Sequence, residues 1–184
     1  MRRVLVVMFL AFFAGTAAAR ELAGVTMPET VTVDGKPLVL NGMGIRKATI
    51  FNIKVYVVGL YLESKSRSAA DILRSQQVKR FDVVLRRDVD RNDIIDAWRK
   101  GLKRNSADMA KLKSEFDQFA GWMSDLAEGD TLTFLYVPER GVTVFVKGKL
   151  KGTIAGSDFA TALFAMWLGA NPVDDGLKDR LLGI

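Results

Sequence analysis

The sequence predicts an α+β fold in which a largely antiparallel sheet is covered by helices. Three observations carry this reading. Strand-like segments come in hairpin pairs joined by turn dipeptides, as at Asp34-Gly35 and Gly148-Lys149. Helical periodicity gathers in one block over residues 90–126, with further helices near the end, so strands and helices do not alternate as in a doubly wound sheet. No linker, internal repeat or low-complexity tract interrupts the 184 residues, which suits one domain over residues 20–184 after an N-terminal segment, residues 1–19.

The elements follow in order. Thr30-Val31-Thr32-Val33 alternates into Asp34-Gly35, and Pro37-Leu38-Val39-Leu40 returns as the second strand. Asn41-Gly42 is a further turn signal, and Gly42-Met43-Gly44 reads as a tight turn with close backbone approach. Residues 46–62 are rich in β-branched and aromatic side chains but too long for one ordinary strand, so two strands turning near Phe51-Asn52 are predicted. Ser68 is placed to cap a short helix over 69–74, and a strand follows over 81–87. Asp90 opens a helix whose Ile94, Ala97, Trp98 and Leu102 share one face. Ser106 opens the next, where Met109, Leu112, Phe116, Phe119, Met123 and Leu126 recur every three or four residues, a stripe that reads as core rather than as a cofactor box.

After Glu128-Gly129-Asp130, residues 131–137 read as a strand with Leu132, Phe134 and Tyr136 on one side. Pro138-Glu139-Arg140-Gly141 turns, and residues 142–147 and 150–154 form a hairpin. Ser157 caps an apolar helix over 159–168, stopped by Gly169, in which Trp167 reads as core. Pro172 separates a last short helix over 174–182, with Asp174 and Asp175 suited to its N-terminus, where carboxylates are favoured.

Composition excludes much chemistry. The chain has no Cys and no His. Disulfides, thiolate nucleophiles, zinc ribbons, iron–sulfur sites and imidazole acid–base catalysis are ruled out together with nearly every transition-metal site, and no metal or other cofactor is expected. Catalysis, if any, falls to Arg, Lys, Tyr, carboxylates, hydroxyls or water. The net charge is +6, and Lys and Arg are scattered among Asp and Glu without a basic stripe, so nucleic acid is not an expected partner.

Residues 1–19 have the layout of a secretory signal peptide: Arg2-Arg3, an unbroken apolar run over 4–13, then small residues ending Ala17-Ala18-Ala19. The uncharged run, residues 4–19, falls short of the ~20 residues that span a bilayer. Cleavage between Ala19 and Arg20 would leave a mature chain of net charge +4, two charges fewer, exported to the periplasm or beyond. No integral membrane segment is expected after cleavage, since the uncharged stretch over 159–173 is also too short.

Within the predicted domain, Arg46 and Tyr56 are equally far from Phe51, so a hairpin turning there sets them directly opposite each other on one sheet face. A guanidinium and a phenol side by side, under apolar helices, can grip a carboxylate or an enolate; the alternative is a surface arginine beside a half-buried tyrosine. Lys54 shares the parity of Tyr56 but sits nearer the turn and is expected in solvent.

Gly42-Met43-Gly44-Ile45-Arg46, the run Val55-Tyr56-Val57-Val58-Gly59-Leu60-Tyr61-Leu62-Glu63, and the later Gly152-Thr153-Ile154-Ala155-Gly156-Ser157-Asp158-Phe159 and Trp167-Leu168-Gly169-Ala170-Asn171-Pro172 together resemble the chalcone isomerase-like superfamily, in its bacterial exported branch. The resemblance covers nearly all of residues 21–183. It implies an open-faced β-sandwich, a large antiparallel sheet with a helical layer over one face and a ligand cleft between. Arg46 matches the family arginine, which in plant chalcone isomerases stabilises an enolate during ring closure. Tyr56 falls where those enzymes carry a threonine. Their tyrosine has no counterpart in residues 90–95, their asparagine none in 98–103, and a C-terminal Thr or Ser is replaced by Asp174 or Asp175.

Fatty-acid-binding members of the superfamily keep the arginine and set a tyrosine on the adjacent strand to hold a carboxylate, which the pair Arg46 and Tyr56 resembles more closely. The expectation is therefore an exported protein that binds a small amphipathic ligand, such as a fatty acid, through Arg46 and Tyr56. The alternatives are an intramolecular lyase in which these two residues are catalytic, and a non-catalytic structural or partner-binding envelope protein.

Overall fold

The computed structural model describes residues 18–48, 52–106 and 108–184. The signal segment expected over residues 1–19 lies outside this range up to residue 17, as does Phe51 of the predicted turn. Two strands that the sequence reading does not contain come first: β1 (Ala19–Leu22) and β2 (Val25–Pro28) pair as a hairpin. Their turn residues Ala23 and Gly24 have φ of 52° and 77°. This is the backbone of a two-residue hairpin turn, which alanine enters rarely and therefore conceals.

The main sheet is a seven-stranded antiparallel meander. Its strands are β3 (Thr30–Val33), β4 (Lys36–Ala48), β5 (Ile53–Leu62), β6 (Lys79–Leu85), β7 (Thr131–Val137), β8 (Gly141–Val146) and β9 (Lys149–Ile154), each paired with the next. Among the described residues there are five helices, α1 (Ala69–Arg74), α2 (Arg91–Asn105), α3 (Lys113–Gly121), α4 (Asp158–Leu168) and α5 (Asp175–Leu182). The predicted α+β class and antiparallel sheet hold.

Several boundaries differ, each for a local reason. Asn41-Gly42 does not end a strand, because β4 runs through it with a bulge between Leu40 and Gly42. Gly42-Met43-Gly44 is therefore no turn, but its close approach is real: a Cβ on Gly42 would collide with the Arg180 carbonyl, and one on Gly44 with Leu177. The β8–β9 turn is Lys147-Gly148, both with positive φ, one residue earlier than expected. β6 begins at Lys79 and ends at Leu85, two residues earlier than expected at each end.

The helix predicted after Ser106 is nine residues, not twenty. Ser106 closes α2, donating its N–H to the Leu102 carbonyl, and α3 starts at Lys113. Leu112, Phe116, Phe119, Met123 and Leu126 are nonetheless all in the core. The stripe is met by a short helix plus irregular flanks packed on the same apolar surface. Asp90 makes no side-chain capping bond; Asp125 Oδ1 accepts from the Arg91 N–H instead, at 2.8 Å. Ser157 likewise precedes α4 without a side-chain cap, and Ala97 is exposed. Ser68 does cap α1, accepting from the Asp71 N–H.

The two faces of the sheet carry different cores. On one, Val58, Leu60 and Leu62 of β5, Phe81, Val83 and Leu85 of β6 and Leu132, Phe134 and Tyr136 of β7 pack under the helices. On the other, Leu38, Leu40, Met43, Ile45, Val57 and Tyr61 pack with Val25 and Met27 of the β1–β2 hairpin. Leu38 and Leu40 are even-numbered while Met43 and Ile45 are odd, yet all four share a face. The bulge causes this: one extra residue, Asn41, reverses the alternation, since side chains on a strand alternate with period two. Gly42, Gly44 and Arg46 are thereby turned to the helical side.

Asn41 is 7% exposed and makes three hydrogen bonds. Its Nδ2 donates to the Ser66 carbonyl (2.9 Å) and the Leu181 carbonyl (2.8 Å), and its Oδ1 accepts from the Ser66 N–H (2.8 Å). A second buried polar group, Lys79, closes α1 by donating to the Ile72 and Ser75 carbonyls at 2.9 and 2.8 Å. Desolvation pulls this lysine down to about 8.

Asn41→Ala should cost about 2–3 kcal/mol, since it strands an N–H and two carbonyls at a site largely closed to water. Urea denaturation checks this, and an unchanged midpoint would mean the bulge is held by other contacts.

Candidate functional site

The site begins with the register of β4 and β5. Arg46 lies directly opposite Tyr56, as the spacing about Phe51 requires. A second bulge follows at once, between Arg46 and Lys47, so that Lys47 faces Lys54. Irregularities of this kind at a sheet end re-aim the side chains beside them. Lys54 is exposed, as expected.

Arg46 and Tyr56 stand at one wall of a cavity of about 240 Å³ between the sheet and α2 and α4. This is just below the ~300 Å³ at which small-molecule sites commonly begin. The rest of its lining is largely apolar, with Val83 and Leu85 from β6, Ile94 and Trp98 from α2, and Met166 and Trp167 from α4. The exposed residues Asp93, Ala97 and Arg104 also border it. Segments 90–95 and 98–103 present the apolar Ile94 and Trp98 to the cavity, with Asp93 at its exposed border.

Trp167 is 2% exposed and stacks on Phe81 with ring centroids 4.8 Å apart and an interplanar angle of 18°. Trp98 meets it edge-on at 5.5 Å. The core reading of Trp167 is right, yet its indole Nε1 also donates to the Tyr56 hydroxyl at 3.1 Å. Among the described residues, no acceptor takes the hydroxyl's own proton. Burial pushes the Tyr56 phenol up to about 12, against the opposing pull of the Trp167 N–H and the Arg46 charge. Such a phenol is protonated at neutral pH and offers a hydrogen bond rather than a base.

Arg46 donates through Nη1 to the Lys47 carbonyl and to Asp174 Oδ2, the latter at 3.1 Å. Asp174 is also the N-cap of α5, where its Oδ1 accepts from the Leu177 N–H at 2.8 Å. The capping role is the one the sequence indicates. The ion pair is not legible there, because 128 residues separate the partners. Asp175 is the first residue of α5 and makes no side-chain hydrogen bond among the described residues.

The family model for chalcone isomerase-like proteins matches residues 19–183. The chain belongs to the chalcone isomerase-like family. A crystal structure of a fatty-acid-binding protein from Arabidopsis thaliana is similar over 90% of this chain and 96% of its own, with a TM-score of 0.71 and 16% sequence identity. At that identity the likeness is one of fold, and it agrees with the family's sheet and helical layer. No curated protein matches the sequence.

Proposed function

We propose that this chalcone isomerase-like chain binds a small amphipathic carboxylate, such as a fatty acid, between its sheet and its helices. The observation that supports this most is an arginine and a tyrosine on facing positions of neighbouring strands, set into a largely apolar cavity. The guanidinium supplies charge-assisted hydrogen bonds to the head group, and the Tyr56 hydroxyl one more. The apolar walls from α2 and α4 take the chain. A structurally similar protein that is itself a fatty-acid-binding protein points the same way. Binding is preferred to intramolecular lyase chemistry because a phenol at about 12 is a poor acid–base partner at neutral pH, and the cavity offers no imidazole or thiol.

Calorimetry with decanoate tests the reading. The unmodified protein and Lys54→Ala should bind it, and Arg46→Ala should weaken it at least tenfold, the usual scale for losing a charge-assisted hydrogen bond. Absence of binding to the unmodified protein across medium-chain fatty acids would reject the proposal.

We further propose that residues 1–19 direct export and are removed. The support is the basic pair Arg2-Arg3, the short apolar run and the alanines at 17–19. N-terminal sequencing of the protein from the envelope fraction should begin at Arg20. A sequence starting at Met1 in the membrane pellet would contradict it.

A further inference from the structure

The arginine of the cavity is already partnered. Arg46 Nη1 and Asp174 Oδ2 are 3.1 Å apart, with side chains 26% and 27% exposed, so the pair is partly shielded from water. Asp174 does not depend on Arg46 for its position. Its other oxygen holds the Leu177 N–H at the start of α5, and the chain just before it is pinned by the Val173 N–H donating to the Met166 carbonyl at 2.8 Å. Val173 and Met166 both line the cavity. Asp174 is not itself part of the cavity lining, but its carboxylate is fixed against Arg46, which is, by contacts independent of what occupies the site.

This matters for head-group chemistry. With Arg46 and Asp174 both charged, the pair itself carries no net charge. An entering carboxylate must share the guanidinium with Asp174 or displace it, leaving two negative groups near one positive group in a poorly solvated place. A neutral head group, such as an alcohol, meets no such opposition and can still accept the Tyr56 proton. We propose that Asp174 is an internal counter-ion that competes with ligand carboxylates for Arg46 and so sets how strongly the site prefers anionic over neutral amphiphiles. The inference rests on the amphiphile reading of the cavity.

Asp174→Asn is the informative change. Asparagine caps helices as well as aspartate, so the bond to the Leu177 N–H and the start of α5 are kept while the charge is removed. Equal melting temperatures of the two proteins check that the fold is held. Dissociation constants are then measured for decanoate and 1-decanol in the unmodified protein and in Asp174→Asn. Decanoate should bind Asp174→Asn about fivefold tighter or more, the scale of a partly exposed ion pair, with 1-decanol changed less than twofold. Decanoate binding that is unchanged or weaker in Asp174→Asn would overturn the counter-ion role while leaving the amphiphile reading intact. A similar gain for both ligands would overturn it too, by showing general loosening of the cavity. Failure of both proteins to bind either ligand would reject the amphiphile reading and this inference with it.

Discussion

The architecture of the site depends on one inserted residue in β4. Without the bulge at Asn41, the alternation that buries Leu38 and Leu40 against the β1–β2 hairpin would send Gly42, Gly44 and Arg46 to the same side. The bulge lets a single 13-residue strand serve both faces in turn. Its first half packs under the hairpin, and its second half turns two glycines to α5 and an arginine to the cavity. Asn41 ties the irregularity to the β5–α1 loop through Ser66 and to α5 through Leu181. The same side chain thus fixes the strand and the helix whose N-terminal carboxylate meets Arg46. The absence of side chains at Gly42 and Gly44 completes this, since any Cβ there would meet α5.

The cavity is not separate from the core. Trp167 stacks on Phe81, lies near Trp98 and Phe134, and then uses its one polar atom to hold the Tyr56 hydroxyl. Aromatic contacts of this kind contribute ~0.5–1.5 kcal/mol each beyond burial and restrict the rings to one arrangement. Tyr56 therefore inherits its position from the packing of the helical layer on the sheet. The polar end combines a rigid neutral donor with an arginine whose charge is balanced by α5. Hydrogen-bond geometry and charge balance there are set by different parts of the chain.

Much of this was legible in the sequence, and the gaps have physical causes. Hairpin turns, β-branched runs and the apolar helix ending at Gly169 gave the sheet and α4 closely, because each depends on local backbone preference. Symmetry about Phe51 gave Tyr56 as the partner of Arg46. It fails one residue later, where it pairs Lys47 with Val55 instead of Lys54, because a bulge carries no sequence mark. The Met/Phe stripe located the core correctly but overstated the helix, since Met123 and Leu126 reach the same surface from irregular backbone. The pairing of Arg46 with Asp174 was out of reach, because it is created by the packing of α5 across β4. The family resemblance, in contrast, was carried by motifs spread along the chain, and the family match spans the same stretch.

On the proposed function, the cavity beside Arg46 and Tyr56 holds an amphipathic acid. Native mass spectrometry of the full chain, expressed in a bacterial host and recovered without delipidation, examines it most directly. One retained species of fatty-acid mass per chain is expected, released on denaturation and absent from Arg46→Ala. A bare protein mass under conditions that preserve the fold, or the same adduct on Arg46→Ala, would contradict it.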